Sequence, residues 1–327
     1  MKTQAPVERV AFRPQSSHLP PVFARLRLPV IGSPLFIVST PQLVVAQCTA
    51  GIVGSLPALN ARPSTQLDEW LGEIRETLAA WDREHPETPA APFAVNLIVH
   101  KSNARLDDDL AICLRHRVPL YITSLGSRPD LNRALQGAGG FVFHDVINTR
   151  FALKALDAGV DGLIAVAAGA GGHAGTRSPF ALVDELRRYF RGPLALAGAI
   201  STGRGIRAAQ AMGADFAYIG SPFIATTEAR AAEAYKAAVV AATSNDILYT
   251  NAFTGVHGNY LIPSIRAAGL DPDHLPAAGA IDMGSGLKKT WKDIWGCGQG
   301  VASVDAVRPA AELIRRLARE YAPGRAR

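Results

Sequence analysis

One histidine in this chain stands among residues with almost no side chains. His173 lies in Ala167-Ala168-Gly169-Ala170-Gly171-Gly172-His173-Ala174-Gly175, directly after the apolar run Gly162-Leu163-Ile164-Ala165-Val166. Imidazole is the side chain most often recruited to take or hold a proton near neutral pH. Glycine and alanine around it let the backbone pass close to a flat ligand and adopt φ values that other residues resist. A strand ending in such a stretch reads as one edge of an active site. The same letters also spell a tight turn holding an ordinary histidine, and the rest of the chain decides between the two.

Other residues able to do chemistry recur at the ends of apolar runs: Ser33-Pro34-Leu35, Asn96, Ser124, His144-Asp145, Gly198-Ala199 and Gly220-Ser221. The set is small, polar and glycine-rich, as a ring around a bound heteroaromatic group should be. A buried amide such as Asn96 needs a partner, which such a ligand supplies. Gly198, Ala199, Gly220 and Ser221 offer backbone amides on two successive loops, and Ser221 adds a hydroxyl; together they compose a phosphate cradle. His144-Asp145 reads either as a catalytic pair or as a loop anchor. His257 and Tyr260, within Thr254–Tyr260, and Gln299, within Gly296-Cys297-Gly298-Gln299-Gly300, form a looser set that either faces substrate or holds its own loop. Cys297 reads as a small buried thiol because no base is evident beside it. Trp291 and Trp295 read as packing.

These residues need elements to position them, and the chain has a rhythm that provides them. Apolar runs at Pro29–Pro34, Gly51–Leu56, Phe93–Val99, Pro119–Ser124, Gly140–Val146, Gly162–Ala167, Pro193–Ile200 and Phe216–Phe223 alternate with helical patterns. Near-continuous apolarity suits strands buried on both faces of a parallel sheet. Helices are expected at Pro41–Thr49, Thr65–Asp82, Leu106–Arg115, Pro129–Gln136, Thr149–Ala158, Pro179–Arg188 and Thr202–Met212, with Ser64 or Thr65 and Ser178-Pro179 as starting signals. Eight strands alternating with helices predict a (β/α)8 TIM barrel, whose chemistry sits at the C-terminal strand ends. Beyond residue 224 the pattern changes. Thr227–Ala242 reads as an alanine-rich helix, the next stretch as shaped loops with few strands, and Val304–Tyr321 as an amphipathic helix returning to the wall. The expected organisation is an irregular segment over 1–25, a barrel over 26–228 and 304–327, and a cap over 229–303.

Composition narrows the class of protein. At 327 residues with 48% hydrophobic and 19% charged residues, the chain builds a large core and is no disordered tail. A net charge of +6, with no basic run interleaved with aromatics, argues against nucleic acid as a partner. Cys48, Cys113 and Cys297 are far apart and odd in number, which fits neither a disulfide framework nor a metal site and points to a reducing compartment. No secretory h-region and no long apolar span is present, so a cytoplasmic protein without a membrane is expected.

Taken together, the motifs resemble the nitronate monooxygenase family, formerly called 2-nitropropane dioxygenases, whose relatives include flavin-dependent enoyl-acyl-carrier-protein reductases and a quinone reductase. The resemblance covers most of residues 27–305 and rests on Pro29–Leu35 with Ser39-Thr40-Pro41, Ala50–Ser55, Val95-Asn96-Leu97, Ala170–Gly175, Ala197–Gly205, Gly213–Ser221 and Trp291–Gly300. It implies FMN held without a covalent bond. Backbone at Ser33, Pro34 and Leu35 would line the isoalloxazine, Gly171 and Gly172 would let the chain approach it, and Asn96 would bond its polar edge near Asp145. Gly198, Ala199, Gly220 and Ser221 would hold the phosphate. His173 matches the family's catalytic histidine, beside flavin N5, acting as base toward a nitroalkane or as polar partner of a nitronate. Small nitronates or nitroalkanes and O2 are the implied substrates, with the redox chemistry residing in the cofactor. An NAD(P)H-dependent quinone or enoyl reductase is the alternative within the superfamily, and a non-redox barrel for a phosphate ligand is the alternative outside it. A homodimer is compatible with either.

The chain also departs from the family pattern. Ser124-Leu125-Gly126 stands where many members have His-Phe-Gly, and Asp145 where some place a lysine; Thr254–Tyr260 matches no better-known member. An acid near the ring disfavours the anionic reduced flavin unless His144 or an arginine offsets it.

Overall fold

The structure is a computed structural model and describes residues 19–275 and 293–322. Residues 1–18 and Trp291, both invoked above, lie outside the described residues.

Eight parallel strands alternate with helices: β1 (Val30–Gly32), α1 (Pro41–Thr49), β2 (Gly54–Pro57), α2 (Ser64–Glu84), β3 (Phe93–Ile98), α3 (Leu106–Arg115), β4 (Leu120–Ser124), α4 (Pro129–Gly137), β5 (Phe141–Val146), α5 (Thr149–Asp157) and β6 (Gly162–Val166). After a two-residue strand β7 (Gly172–His173) come α6 (Pro179–Arg187), β8 (Leu194–Ala197), α7 (Gly203–Ala211), β9 (Phe216–Ile219) and the short α8 (Ser221–Ile224). The sheet order is β1-β9-β8-β6-β5-β4-β3-β2, and a parallel bridge between Ile31 and Val53 joins its two edges. Gly32 N donates to Val53 O at 2.8 Å across that seam. The result is the (β/α)8 barrel that the alternation predicts.

Both strand faces are buried, which explains the near-continuous apolarity. Ile122, Phe143, Ile164, Ala195 and Phe216 fill the interior, while Tyr121, Val142, Leu163 and Leu194 pack beneath the helices. The N-terminal mouth is closed by Phe23, whose ring meets Phe141 edge-on at 5.4 Å and lies 4.8 Å from Phe216. The larger cavity lies at the opposite end.

Several expectations are corrected. The last barrel strand stops at Ile219, because Gly220 caps α8 and Pro222 favours its first turn. The alanine-rich stretch is helical only over α9 (Glu233–Ala241). α2 starts at Ser64 behind Pro63, and neither it nor Ser178 before α6 receives a side-chain cap bond. The supposed loops hold β10 (Ile247–Thr250) and β11 (Gly258–Leu261), followed by α10 (Ile262–Ala267). β11 pairs antiparallel with both β10 and β7, making a three-stranded sheet. The final helix, α11 (Ala310–Tyr321), starts behind Pro309, with the Glu228 carboxylate accepting from Ala310 N at 2.9 Å.

Candidate active site

A cavity of about 730 Å³ opens at the C-terminal strand ends. Of the residues singled out in the sequence, it is lined by Ser33, Pro34, Leu35, Asn96, Ser124, His144, Asp145, Gly171, Gly172, His173, Gly198, Ala199, Gly220 and Ser221.

The pleat of the strands decides what the floor presents. Asn96, Ser124 and Asp145 occupy the same inward positions as Ala94, Ile122 and Phe143 two residues earlier. Their polar groups form one chain. Asn96 Nδ2 donates to Ile122 O at 2.9 Å and to Ser124 Oγ at 2.8 Å, and Ser124 donates to Asp145 Oδ2. Asp145 Oδ1 is buried without a hydrogen-bond partner. Burial pushes the Asp145 carboxyl up to about 6, against a smaller lowering by the Ser124 bond. Tyr218 belongs to the same layer and was missed. It lies two residues after the inward Phe216, so the period of two would have found it. Its phenol is raised by burial first, then by Asp145, while a bond to Ser33 lowers it.

His144 also borders the cavity, but it projects from the opposite face of β5 and bonds Thr123, so His144 and Asp145 do not form a hydrogen-bonded pair. The Thr123 hydroxyl donates to Phe143 O at 3.1 Å and therefore accepts from His144 Nδ1 at 2.7 Å. Burial pulls this imidazole down to about 4, and it stays neutral at ordinary pH.

His173 comes from the opposite wall. Its backbone pairs with Gly258 of β11, and Nε2 lies 3.0 Å from Thr254 Oγ1. The Thr254 hydroxyl donates to Val256 O at 3.1 Å, so it accepts from His173, which assigns the proton to Nε2 and the lone pair to Nδ1. Burial draws His173 down to about 4 as well. The residue is a neutral imidazole, in the protonation state of a base.

The glycines around it also let the chain pack on itself. A Cβ on Gly171 would lie 2.8 Å from Gly298 N, and one on Gly298 would lie 2.7 Å from Gly169 O. Gln299 N donates to Gly169 O at 2.9 Å, and Asn259 Nδ2 to Ala170 O at 2.6 Å. The loop bearing His173 is thus clamped between β11 and a strap at residues 296–300, backbone on backbone, as only glycine permits.

Three expected wall residues do not line the cavity. Tyr260 is fully buried beside Ile265 and Ile294, and burial raises its phenol. His257 is exposed and stacks on Tyr249 at 5.2 Å, while its carbonyl accepts from Ala174 N. Gln299 is exposed, and its backbone N–H bonds Gly169 O while its side-chain Oε1 lies close over Gly169. Cys297 is wholly buried and its thiol is pushed up to about 12, as expected for an inert packing group.

The remaining edge is built by loops under backbone constraint. Ile37, Leu125 and Ala199 line the cavity at φ of 67°, 61° and 53°. Such conformations persist where surroundings over-determine them and gather at ligand sites. For Ile37 the cause is Asn60, a residue that sequence reasoning missed. Its side chain accepts from Ile37 N at 2.8 Å and donates to Leu35 O at 2.9 Å and Ser39 O at 2.8 Å. Gly220 abuts this loop, since a Cβ there would lie 3.2 Å from both Ser33 Cβ and Leu35 Cδ2.

A polar floor, an apolar wall and close-packed amides at Gly198–Ala199 and Gly220–Ser221 fit a planar heteroaromatic group with a phosphate arm. The orphaned Asp145 Oδ1 fits it too, because a buried polar atom requires a partner. Fold and site together define a barrel oxidoreductase that works with an organic cofactor. The chain belongs to the nitronate monooxygenase family, whose sequence profile matches residues 103–320. It is 30% identical to a nitronate monooxygenase of Paraburkholderia phytofirmans over 89% of this chain and 92% of the relative. Its fold superposes on a nitroalkane oxidase from Streptomyces ansochromogenes with a TM-score of 0.76 at 25% identity, covering 91% of this chain and 96% of that one. FabK from Thermotoga maritima shares the fold, with a TM-score of 0.72 at 24% identity over 91% and 94% of the two chains. The protein is therefore an enzyme of the flavin-dependent oxidoreductase type. Among the described residues no helix is long and apolar enough to cross a membrane.

Proposed function

We propose that the protein is an FMN-dependent nitronate monooxygenase acting on a small nitronate or nitroalkane with O2. The observation that carries this reading is a neutral His173, oriented by Thr254, in the wall of a cavity whose other walls suit a flavin. Ser33, Pro34, Leu35, Asn96 and Asp145 would hold the ring, and Gly198, Ala199, Gly220 and Ser221 the phosphate. The chemistry that a flavin would supply there is redox, between substrate and O2.

The chain's own residues do the rest. His173, a neutral imidazole in the cavity wall, would take a proton from the carbon next to a nitro group, a service worth about 10²–10⁴ in rate. After protonation the same ring becomes a cation able to hold the negative nitronate. The apolar side chains Leu35, Ile200, Ile224 and Val256 exclude water and strengthen that interaction. Thr254 keeps the ring in one tautomer. The three cysteines are buried and free, consistent with work in the cytoplasm.

Anaerobic mixing tests this reading. The flavin-loaded protein should bleach on adding the nitronate of 1-nitropropane and reoxidise when air is admitted. Rapid bleaching by NADH, with none by nitronate, would assign the protein to the reductases instead.

A further inference from the structure

The floor of the cavity has a hydrogen-bond inventory that leaves one atom to be explained. Both hydrogens of Asn96 Nδ2 are used, on Ile122 O and Ser124 Oγ. The one proton of Ser124 goes to Asp145 Oδ2. The chain therefore ends at Asp145 Oδ1, which is closed to water and has no partner, on a residue that lines the cavity. If Asp145 is ionised, this chain offers a ligand nothing but acceptors: Asn96 Oδ1 and Asp145 Oδ1. The polar edge of a flavin ring carries two carbonyl oxygens and ring nitrogens against a single N–H, so it calls chiefly for donors.

We propose that Asp145 works as a neutral carboxylic acid whose Oδ1 donates a hydrogen bond to an acceptor on the polar edge of the bound flavin. The inference rests on the flavin reading above. Because Ser124 already donates to Oδ2, the carboxyl proton belongs on Oδ1, the carboxyl atom left without a partner.

The surroundings favour the neutral acid. The neighbouring strands β4 and β6 present Ser124 and Val166, and Tyr218 faces Asp145 from β9 as an uncharged phenol. His173 above is neutral, and His144 is neutral and on the outer face of the same strand. Arg230 lines the cavity but is tied to Ile37 O at 3.0 Å and stacked on Trp70 at 5.5 Å; Lys154 is exposed on α5. Neither cation contributes to the ionisation of Asp145, which burial governs. A charge left here would meet no counter-ion and would oppose the negative charge a flavin gains on reduction. The neutral acid would stabilise that charge instead. The substitution of an acid where some relatives place a lysine is thereby reconciled with flavin chemistry.

The test is the dissociation of FMN from the flavin-loaded full-length protein, read by recovery of flavin fluorescence from about pH 5.5 to about pH 8. Only the protonated acid donates, so binding retains a proton and affinity falls as pH rises, by up to about tenfold per unit above about 6. The FMN phosphate titrates in the same window, so D145N is the reference. Its amide keeps a donor at the ligand and an acceptor for Ser124. The ratio of wild-type Kd to D145N Kd should rise more than about tenfold across the window, the two converging at the acid end. D145A should bind more weakly than either at acid pH. Riboflavin, with the ring and no phosphate, should show the same loss with wild-type protein, which decides the matter should D145N fail to fold. A constant Kd ratio, with riboflavin affinity flat in pH, would overturn the proposal while leaving the flavin site intact. Absence of flavin binding at every pH would overturn the site reading and the proposal together.

Discussion

The two walls of the cavity are built by opposite means. On one side Asn96, Ser124, Asp145 and Tyr218 project from barrel strands whose ladder register sets their height and whose pleat sets their direction. On the other, His173 sits on a two-residue strand held by β11, and its loop is clamped to residues 296–300 through backbone contacts. The strand wall would keep its polar layer after many substitutions, because each position is fixed by a long ladder. The loop wall depends on a few glycines and one threonine. On the proposed function, the polar groups that would meet the flavin ring stand on the rigid half, and the group that would handle the proton on the half most easily disturbed.

That contrast can be broken at defined points. The largest effect is expected from Gly298→Ala, whose methyl would lie 2.7 Å from Gly169 O and 2.9 Å from Gly171 N. Backbone has to move, at a cost of about 1–3 kcal/mol, and chemical denaturation together with flavin titration should show both stability and cofactor affinity reduced. Asn60→Ala comes next. It strands Leu35 O, Ile37 N and Ser39 O, for a loss of roughly 1–3 kcal/mol, and thermal melts should record it.

Thr254→Val should be gentler on the fold and selective for the chemistry. Losing the acceptor of His173 Nε2 should lower kcat about tenfold, roughly 1.4 kcal/mol, with the flavin spectrum and Kd unchanged. Steady-state kinetics beside a flavin titration would separate the two effects.

Acid stability reads both walls at once. His144 and His173 fall to about 4 in the fold from an ordinary 6.5, so the unfolded chain binds more protons between those values. They make stability decline as pH drops from about 6.5 to about 4. Asp145, raised to about 6, acts in the opposite sense between about 6 and its ordinary 3.8, because there the folded chain holds the proton. D145N should therefore steepen the acid loss, and H144Q should flatten it, in melts taken across this range. At the small end, Gly137→Ala near the C-terminus of α4 meets nothing within 4 Å, and stability should change by no more than about 1 kcal/mol.

The same contrast explains what could be read in the sequence. Barrel strands announce themselves because both faces are buried, and α1 and α3 begin and end at the residues their patterns indicate. Strand-end residues such as Asn96 and Asp145 follow from that frame, as does the missed Tyr218 once the alternation from Phe216 is followed. The loop wall left no such signal. β7 is two residues long, and β10 and β11 exist because a distant loop offers them an edge. Thr254 and Asn60 matter only through partners 81 and 23 residues away. The glycines were visible, but the backbone they meet was not, so the clamp on residues 296–300 was not expected. His257 and Tyr260 were drawn to the site by residue type; one braces the loop from outside and the other is buried beside Ile265 and Ile294.

The central claim is that His173 handles the proton while the strand wall holds the flavin. Anaerobic stopped-flow reduction of the bound flavin by neutral 1-nitropropane, comparing wild type with His173→Asn, tests it most directly. The account predicts that the variant keeps its flavin and its oxidised spectrum and is reduced at least about a hundredfold more slowly. A flavin-loaded variant reduced at the wild-type rate would contradict it.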